Sequence, residues 1–439
     1  MDGWSRSAIW WQVYPFGFLA AEPTALPAGS AVTHRLRGLE PALDYLIELG
    51  CNGLALNPIF ASETHGYDIV DHFRVDPRLG DLDDVDWLLD ACRTRGIRVL
   101  FDGVFNHVGR SFPAFQDVLA NREKSAYVDW FHIDWDGAGP DGFSYSSFEG
   151  HDALVVLNHE STAVIDHVAT VLGYWLDRGV DGWRLDAAYA VPLDFWATVM
   201  DRVKARHPEA WFVGEVIHGD YAEWILLGGL DSVTQYELWK SIWSSLNDGN
   251  FHELAWTLER HNTFCDDFTP LTFLGNHDVT RIASKLDDPR TLGHALAVLL
   301  TVPGIPSVYY GDEQGFRGVK EDRFGGDDAV RPAFDSSKEL LDPGGWSTFH
   351  LHQDLIGLRR RHPWLVTGRT EMQHLTNDQV AYDVLGSGGE QIRILLNIAD
   401  VAYQFPLEGT AERLLSDGDS GGEVYSVGPH GWAILRSTG

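Results

Sequence analysis

Apolar residues fall into two alternating kinds of run along most of the chain. Short stretches rich in β-branched and aromatic residues read as buried strands: Ile9–Tyr14, Gly53–Asn57, Arg98–Asp102, Asp181–Leu185, Trp211–Glu215, Ser232–Tyr236, Leu271–Leu274 and Ser307–Tyr310. Between several of them the apolar positions recur every three or four residues, as in an amphipathic helix. Over Leu39–Leu49 these positions are Leu39, Leu43, Leu46 and Ile47, with Gly50 as the stop. Over Asp83–Arg95 they are Val85, Leu88, Leu89 and Cys92, with acidic residues in the first turn where the macrodipole favours them. Thr162–Arg178 repeats the pattern with Val164, Val168, Val171 and Trp175, and ends at Gly179. Strands alternating with helices pair in parallel, so the pattern predicts an α/β fold of the closed (β/α)8 TIM-barrel type.

Two regions break the rhythm. Between Asn106 and Glu160 the chain is irregular and rich in Gly, Asp, Ser and aromatics, too long for an ordinary loop; it predicts a small subdomain inserted after strand 3. From Pro363 onward short strands (Val380–Val384, Ile392–Ile398, Gly431–Leu435) alternate with Gly- and Asp-rich turns, which predicts a C-terminal antiparallel β domain. The expected division is barrel over 1–106 and 161–362, insert over 107–160, and β domain over 363–439.

Composition narrows the partners. The 439 residues carry 33 Lys and Arg against 64 Asp and Glu, a formal charge of −31, so phosphate-rich nucleic acid and anionic membranes are expected to be repelled. Cys51, Cys92 and Cys265 are far apart with no CxxC pair, giving neither a disulfide framework nor a zinc site. No basic-then-apolar leader and no apolar run of about 18 residues is visible. The expected setting is therefore the cytoplasm.

In a closed barrel the chemistry gathers at the C-terminal ends of the strands. Four strand ends carry polar clusters: Asp102–His107, Arg184-Leu185-Asp186, Glu215, and Asn276-His277-Asp278 followed by Arg281. A single carboxylate there is as often a helix cap or an ion-pair partner. Three converging on one cleft are costly unless function requires them. Arg184 and Asp186 are two apart on a strand and share a face, so the guanidinium is expected to hold Asp186 ionised, as a nucleophile needs. Glu215 follows the apolar run Trp211–Val213 and faces other acids, which suits a general acid. Two carboxyls with opposite tuning are the equipment of retaining glycoside hydrolysis.

These clusters resemble the conserved regions of the α-amylase superfamily, glycoside hydrolase family 13, and occur in that family's order. The likeness includes His65-Gly66-Tyr67-Asp68 and the run Gly304–Glu313. It implies Asp186 as nucleophile, Glu215 as acid/base and Asp278 as transition-state stabiliser, with Arg184 orienting Asp186. It further implies that Tyr67, Asp68, His107, His277 and Arg281 serve the substrate site. Departures matter too. The stretch Phe16–His34 has Glu22 as its only acid, where calcium-binding members carry an Asp-rich loop, so no metal and no cofactor are expected. Tyr189 and Ala190 stand where endo-amylases often have Lys-His, and Val216 where many relatives have an aromatic, so the leaving-group side is expected to be altered. In the insert, Trp130, Phe131 and Trp135 could wall a sugar site or fill a small core. The charged loop Gly311–Phe334 is expected to border the cleft or to be a solvated surface loop.

The reading is a hydrolase of α-glucosidic bonds, foremost in α-1,4-linked malto-oligosaccharides, with an oligosaccharide or disaccharide as its partner molecule. Two others stay open: a transglycosidase using the same intermediate, and a sugar-binding protein without catalysis.

Overall fold

The computed structural model describes residues 3–323, 325–335, 343–417 and 424–437. Met1 and Asp2, Phe324 in the charged loop, 336–342 in the expected barrel and 418–423 and 438–439 in the expected β domain lie outside the described residues. Strands β1 (Trp10–Val13), β2 (Gly53–Leu56), β3 (Arg98–Val104), β4 (Gly182–Asp186), β5 (Trp211–Gly214), β6 (Ser232–Val233), β7 (Leu271–Phe273) and β8 (Ile305–Tyr309) form one parallel sheet. Their order is β6-β5-β4-β3-β2-β1-β8-β7. A parallel bridge between Thr234 and Leu271, with the Gln235 N–H donating to the Leu271 carbonyl at 2.9 Å, joins the two ends. The sheet is a barrel.

Register explains how this barrel carries both a core and a site. Gly182 lies opposite Leu100 and Trp211, and Arg184 opposite Asp102 and Val213. Because side chains alternate along a strand, residues 182, 184 and 186 face the interior while Trp183 and Leu185 face the helices. The inner floor is apolar: Trp10 stacks on Trp211 with centroids 5.8 Å apart, beside Leu100, Val213 and Ile305. Gly53 is obligatory there, since a Cβ would come within 2.3 Å of the Trp10 ring. Towards the C-terminal mouth the inward positions become polar, with Gln12, Asp102, Arg184 and Asp186 all buried.

The helices follow the predicted periodicity closely. Leu82–Thr94 begins with a reciprocal capping box, in which Asp81 accepts from the Asp83 and Asp84 amides. Strand β6 is shorter than its apolar pattern predicts because Gln235 caps a new helix over Tyr236–Asp248, which turns Tyr236 towards the mouth. In the insert, His107–Gly109 pairs antiparallel with His151–Val156, which pairs in turn with Ser147–Phe148. Phe115 packs edge-on against Phe131 and Tyr145, and Trp135 packs on Phe143, so these rings fill the insert's own core.

After the barrel come β9 (Arg369–Leu375), β10 (Gln379–Leu385), β11 (Gln391–Asn397), β12 (Ala411–Ser416) and β13 (Trp432–Ser437). They form one sheet in the order β9-β10-β11-β13-β12. Strands β9 and β12 escape the hydrophobic pattern because both are half-exposed edges rich in polar residues. Among the described residues no helix is long and apolar enough to cross a membrane.

Candidate active site

The barrel mouth opens into a cleft of about 500 Å³ walled by the ends of β4, β5 and β7, by the insert and by the loop after β8. Asp186, Glu215 and Asp278 all line it, as do Tyr67 and His107. Three acids distant in sequence meet at one cavity.

At the floor, one arginine serves three carboxylates. Arg184 Nη1 donates to Asp102 Oδ2 at 2.6 Å and to Asp186 Oδ1 at 3.1 Å, while Nη2 lies 2.8 Å from Glu215 Oε1. Glu215 also accepts from the Tyr236 hydroxyl at 3.1 Å and from the Ala187 amide at 3.0 Å. Asn276 donates to the Tyr236 hydroxyl at 2.9 Å and fixes its direction. Ala187 reaches Glu215 only by adopting φ +44, a left-handed conformation uncommon outside glycine.

Asp186 has the poorest share of Arg184. Burial, assisted by the neighbouring carboxylates of Glu215, Asp102 and Asp278, raises its pKa well above the usual carboxylate range despite the guanidinium. The expectation that Arg184 holds Asp186 ionised is corrected: the guanidinium contacts Asp186 but does not offset its burial. The strand spacing reveals the pair, but not that Arg184 is divided between three partners.

Asp278 is tuned the other way. Burial opposes its charge, but His277, Arg331 and Arg184 together hold its carboxyl well below the usual range. His277 Nδ1 is filled by the amides of Asn57 at 3.1 Å and Gln12 at 3.3 Å, which aims Nε2 at Asp278 Oδ2, 2.8 Å away. Arg331 Nη2 donates to Asp278 Oδ1 at 2.8 Å, and its Nε donates to the His277 carbonyl at 2.9 Å. Tyr67 lies flat on the His277 ring, centroids 5.2 Å apart, and donates to Asp102 Oδ2 at 3.0 Å.

The expected substrate residues therefore divide. Tyr67 and His107 border the cleft. The His107 ring is buried, stacks on Phe148 at 4.7 Å and accepts from the Asn106 amide at Nδ1. Burial lowers the His107 pKa to about 3, so the ring is neutral at ordinary pH. His277 and Arg184 act from behind, bonded to the carboxylates they position. Asp68 and Arg281 do not border the cleft, which corrects the expectation for both. Asp68 is buried and accepts from the Thr64 amide at 3.0 Å. Arg281 is fully buried, and its Nη atoms donate to Asp312 Oδ1 and to the carbonyls of Tyr310 and Val330.

Sequence reasoning gave no role to Asn57 and Tyr236, and singled out neither Asn276 within its cluster nor Arg331 within its loop. Tyr236 and Asn276 follow the sixth and seventh strands, so a search for partners of Glu215 at the strand ends finds them. Arg331 lies 53 residues from Asp278 on a loop with no periodic signal. For a cation, the described residues offer one group, His34, Asp81 and Asp84, whose ligand atoms lie within 4.8 Å of one another. Asp84 there already takes Arg37 at 2.7 Å and His34 at 2.6 Å, and Asp81 caps its helix, so the group is fully used by the fold.

The chain is similar to known proteins. The α-amylase catalytic-domain family matches residues 12–379. A cyclomaltodextrinase from a Bacillus species is 34% identical over 395 residues, covering 83% of this chain and 68% of the relative. Neopullulanase 2 of Thermoactinomyces vulgaris is 31% identical, covering 90% of this chain and 72% of the relative. Among solved structures, the cyclic α-maltosyl-(1→6)-maltose hydrolase of Arthrobacter globiformis, in complex with its namesake sugar, superposes with a TM-score of 0.82. It is 28% identical, and 99% of each chain is covered.

Proposed function

The chain belongs to the α-amylase family, and on that premise we propose that it cleaves α-1,4 bonds of malto-oligosaccharides with retention of configuration, through a covalent glycosyl-enzyme intermediate on Asp186. It is a glycoside hydrolase acting on α-glucosidic bonds in oligosaccharides. The observation that carries the retaining reading is the single Arg184 guanidinium binding both Asp186 and Glu215 at the cleft floor. One cation beside three buried acids leaves the cluster short of positive charge, so a proton resides within it. With a glycosidic oxygen against Glu215, that proton serves the leaving group, and Asp186, now ionised beside Arg184, attacks the anomeric carbon. Glu215 then takes a proton from water, which releases the sugar in its α configuration. Asp278, kept charged by His277 and Arg331, accepts hydroxyl hydrogen bonds from the distorted ring. Tyr67 and His107 border the same sugar.

The same reading divides the chain into barrel (1–106, 161–362), insert (107–160) and β domain (363–439). A cytoplasmic setting is supported by the three unpaired cysteines and by the name of a Bacillus subtilis relative, intracellular maltogenic amylase. The test combines two measurements. Asp186→Asn is expected to lower kcat on maltotriose by roughly 10⁴-fold or more with the thermal midpoint preserved. The first product seen by proton NMR is expected to be the α anomer. A β-configured first product, or substantial turnover by the variant, defeats the reading.

A further inference from the structure

The insert and the loop after β4 meet across the cleft at one hydrogen bond. Tyr189 donates its hydroxyl to Glu149 Oε1 at 3.1 Å, and both residues line the cavity. Tyr189 stands beside the acid, its backbone N–H donating to the Glu215 carbonyl at 3.2 Å. His277 and Arg331 instead contact Asp278, with Tyr67 against His277. An acid that protonates the leaving oxygen has the departing sugar on its own side, so Glu149 and Tyr189 flank that sugar rather than the attacked one.

The backbone shows that Glu149 is placed there at a cost. It adopts φ +50 and is followed by Gly150 at φ +78, and this pair of left-handed residues makes the tight turn between Ser147–Phe148 and His151–Val156. A charged residue in the left-handed region is held by its surroundings, and such strain clusters at functional sites. Phe148, the preceding residue, is pinned by stacking on His107. Glu149 itself is exposed, and among the described residues its Oε2 takes no hydrogen bond.

We infer that Glu149 is a specificity-determining residue that binds hydroxyls of the leaving-group pyranose, with Tyr189 as its positioning residue. The inference rests on the hydrolytic reading above. A carboxylate with one oxygen tethered and one free accepts strongly from a sugar hydroxyl, and an aryl leaving group offers no such hydroxyl.

The quantity to measure is kcat/KM for maltotriose divided by kcat/KM for p-nitrophenyl α-maltoside. Glu149→Gln is expected to lower this ratio roughly tenfold, because the tethered charge is lost while the shape remains. Tyr189→Phe is expected to lower it in the same direction, and the double variant to be no worse than the poorer single one. A ratio within twofold of the parent in Glu149→Gln overturns the subsite. So does an equal fall on both substrates together with a lowered thermal midpoint. A strictly additive double variant overturns the role of Tyr189. Failure of the chemistry itself is seen separately, as persistent turnover of both substrates by Asp186→Asn.

Discussion

Two arginine–carboxylate clusters sit at strand ends of the barrel, and the difference between them separates structure from chemistry. After β7 and β8, Arg281 meets Asp312 at 2.7 Å and also donates to the carbonyls of Tyr310 and Val330, under the ring of Tyr309. That cluster is sealed, and its cation faces one acid. At β4 and β5, Arg184 faces Asp102, Asp186 and Glu215, and two of these border the cleft. A buried arginine matched to one carboxylate and to carbonyls is a bracket that holds loops together. A buried arginine divided among three acids leaves Asp186 undercompensated, its pKa raised by burial and by its acidic neighbours. Both clusters come from polar strand ends that look alike in the sequence.

The largest expected contrast comes from exchanging the two arginines for methionine, one at a time. Arg184→Met is expected to lower kcat/KM on maltotriose by roughly 10³-fold, because Asp186 and Glu215 lose the cation that orients both. Arg281→Met is expected to lower stability by about 3–5 kcal/mol in chemical denaturation, since Asp312 is left buried and unpaired. Its turnover per folded molecule is expected to stay near the parent value. If Arg281→Met instead lost activity with its stability intact, the division drawn here would be wrong.

Glu313 sharpens the comparison next. It is fully buried beside the sealed cluster and accepts from the Tyr45 hydroxyl at 2.8 Å and the Gly311 amide at 2.9 Å, with its pKa pushed up to about 7 by burial. The folded value lies above the ordinary 4.5, so the folded state binds this proton more tightly than the unfolded chain. Its stabilising contribution is complete below about pH 4.5 and is lost as the pH rises through about 7, roughly 3 kcal/mol in all. Glu313→Gln is expected to flatten that dependence and to be the more stable protein at pH 8. Denaturation midpoints at pH 5 and pH 8 decide it; an unchanged slope places the pH sensitivity elsewhere.

The smallest effect belongs to the active cluster. Tyr236→Phe removes one of the hydrogen bonds to Glu215 and frees the Asn276 amide, worth about 1 kcal/mol, so kcat/KM is expected to fall about fivefold. A loss of 10²-fold or more would promote Tyr236 from a support of Glu215 to a participant in proton transfer.

The repeating units, the strand faces and three acids at strand ends are legible in the amino-acid order alone. Those depend on local period and on residues two apart, such as Arg184 and Asp186, whose relation any strand fixes. Only the tertiary structure decided how charge is shared, because sharing depends on residues brought together by barrel closure. Asp102 lies opposite Arg184 through register, Arg331 reaches Asp278 from a loop without periodicity, and Glu149 arrives on a strained turn of the insert. The same distinction explains Arg281, whose position beside a catalytic-looking motif said nothing about whether its guanidinium faced a cavity or a set of carbonyls. Local pattern sets which way a side chain points, whereas the number of partners competing for it is a property of the closed fold.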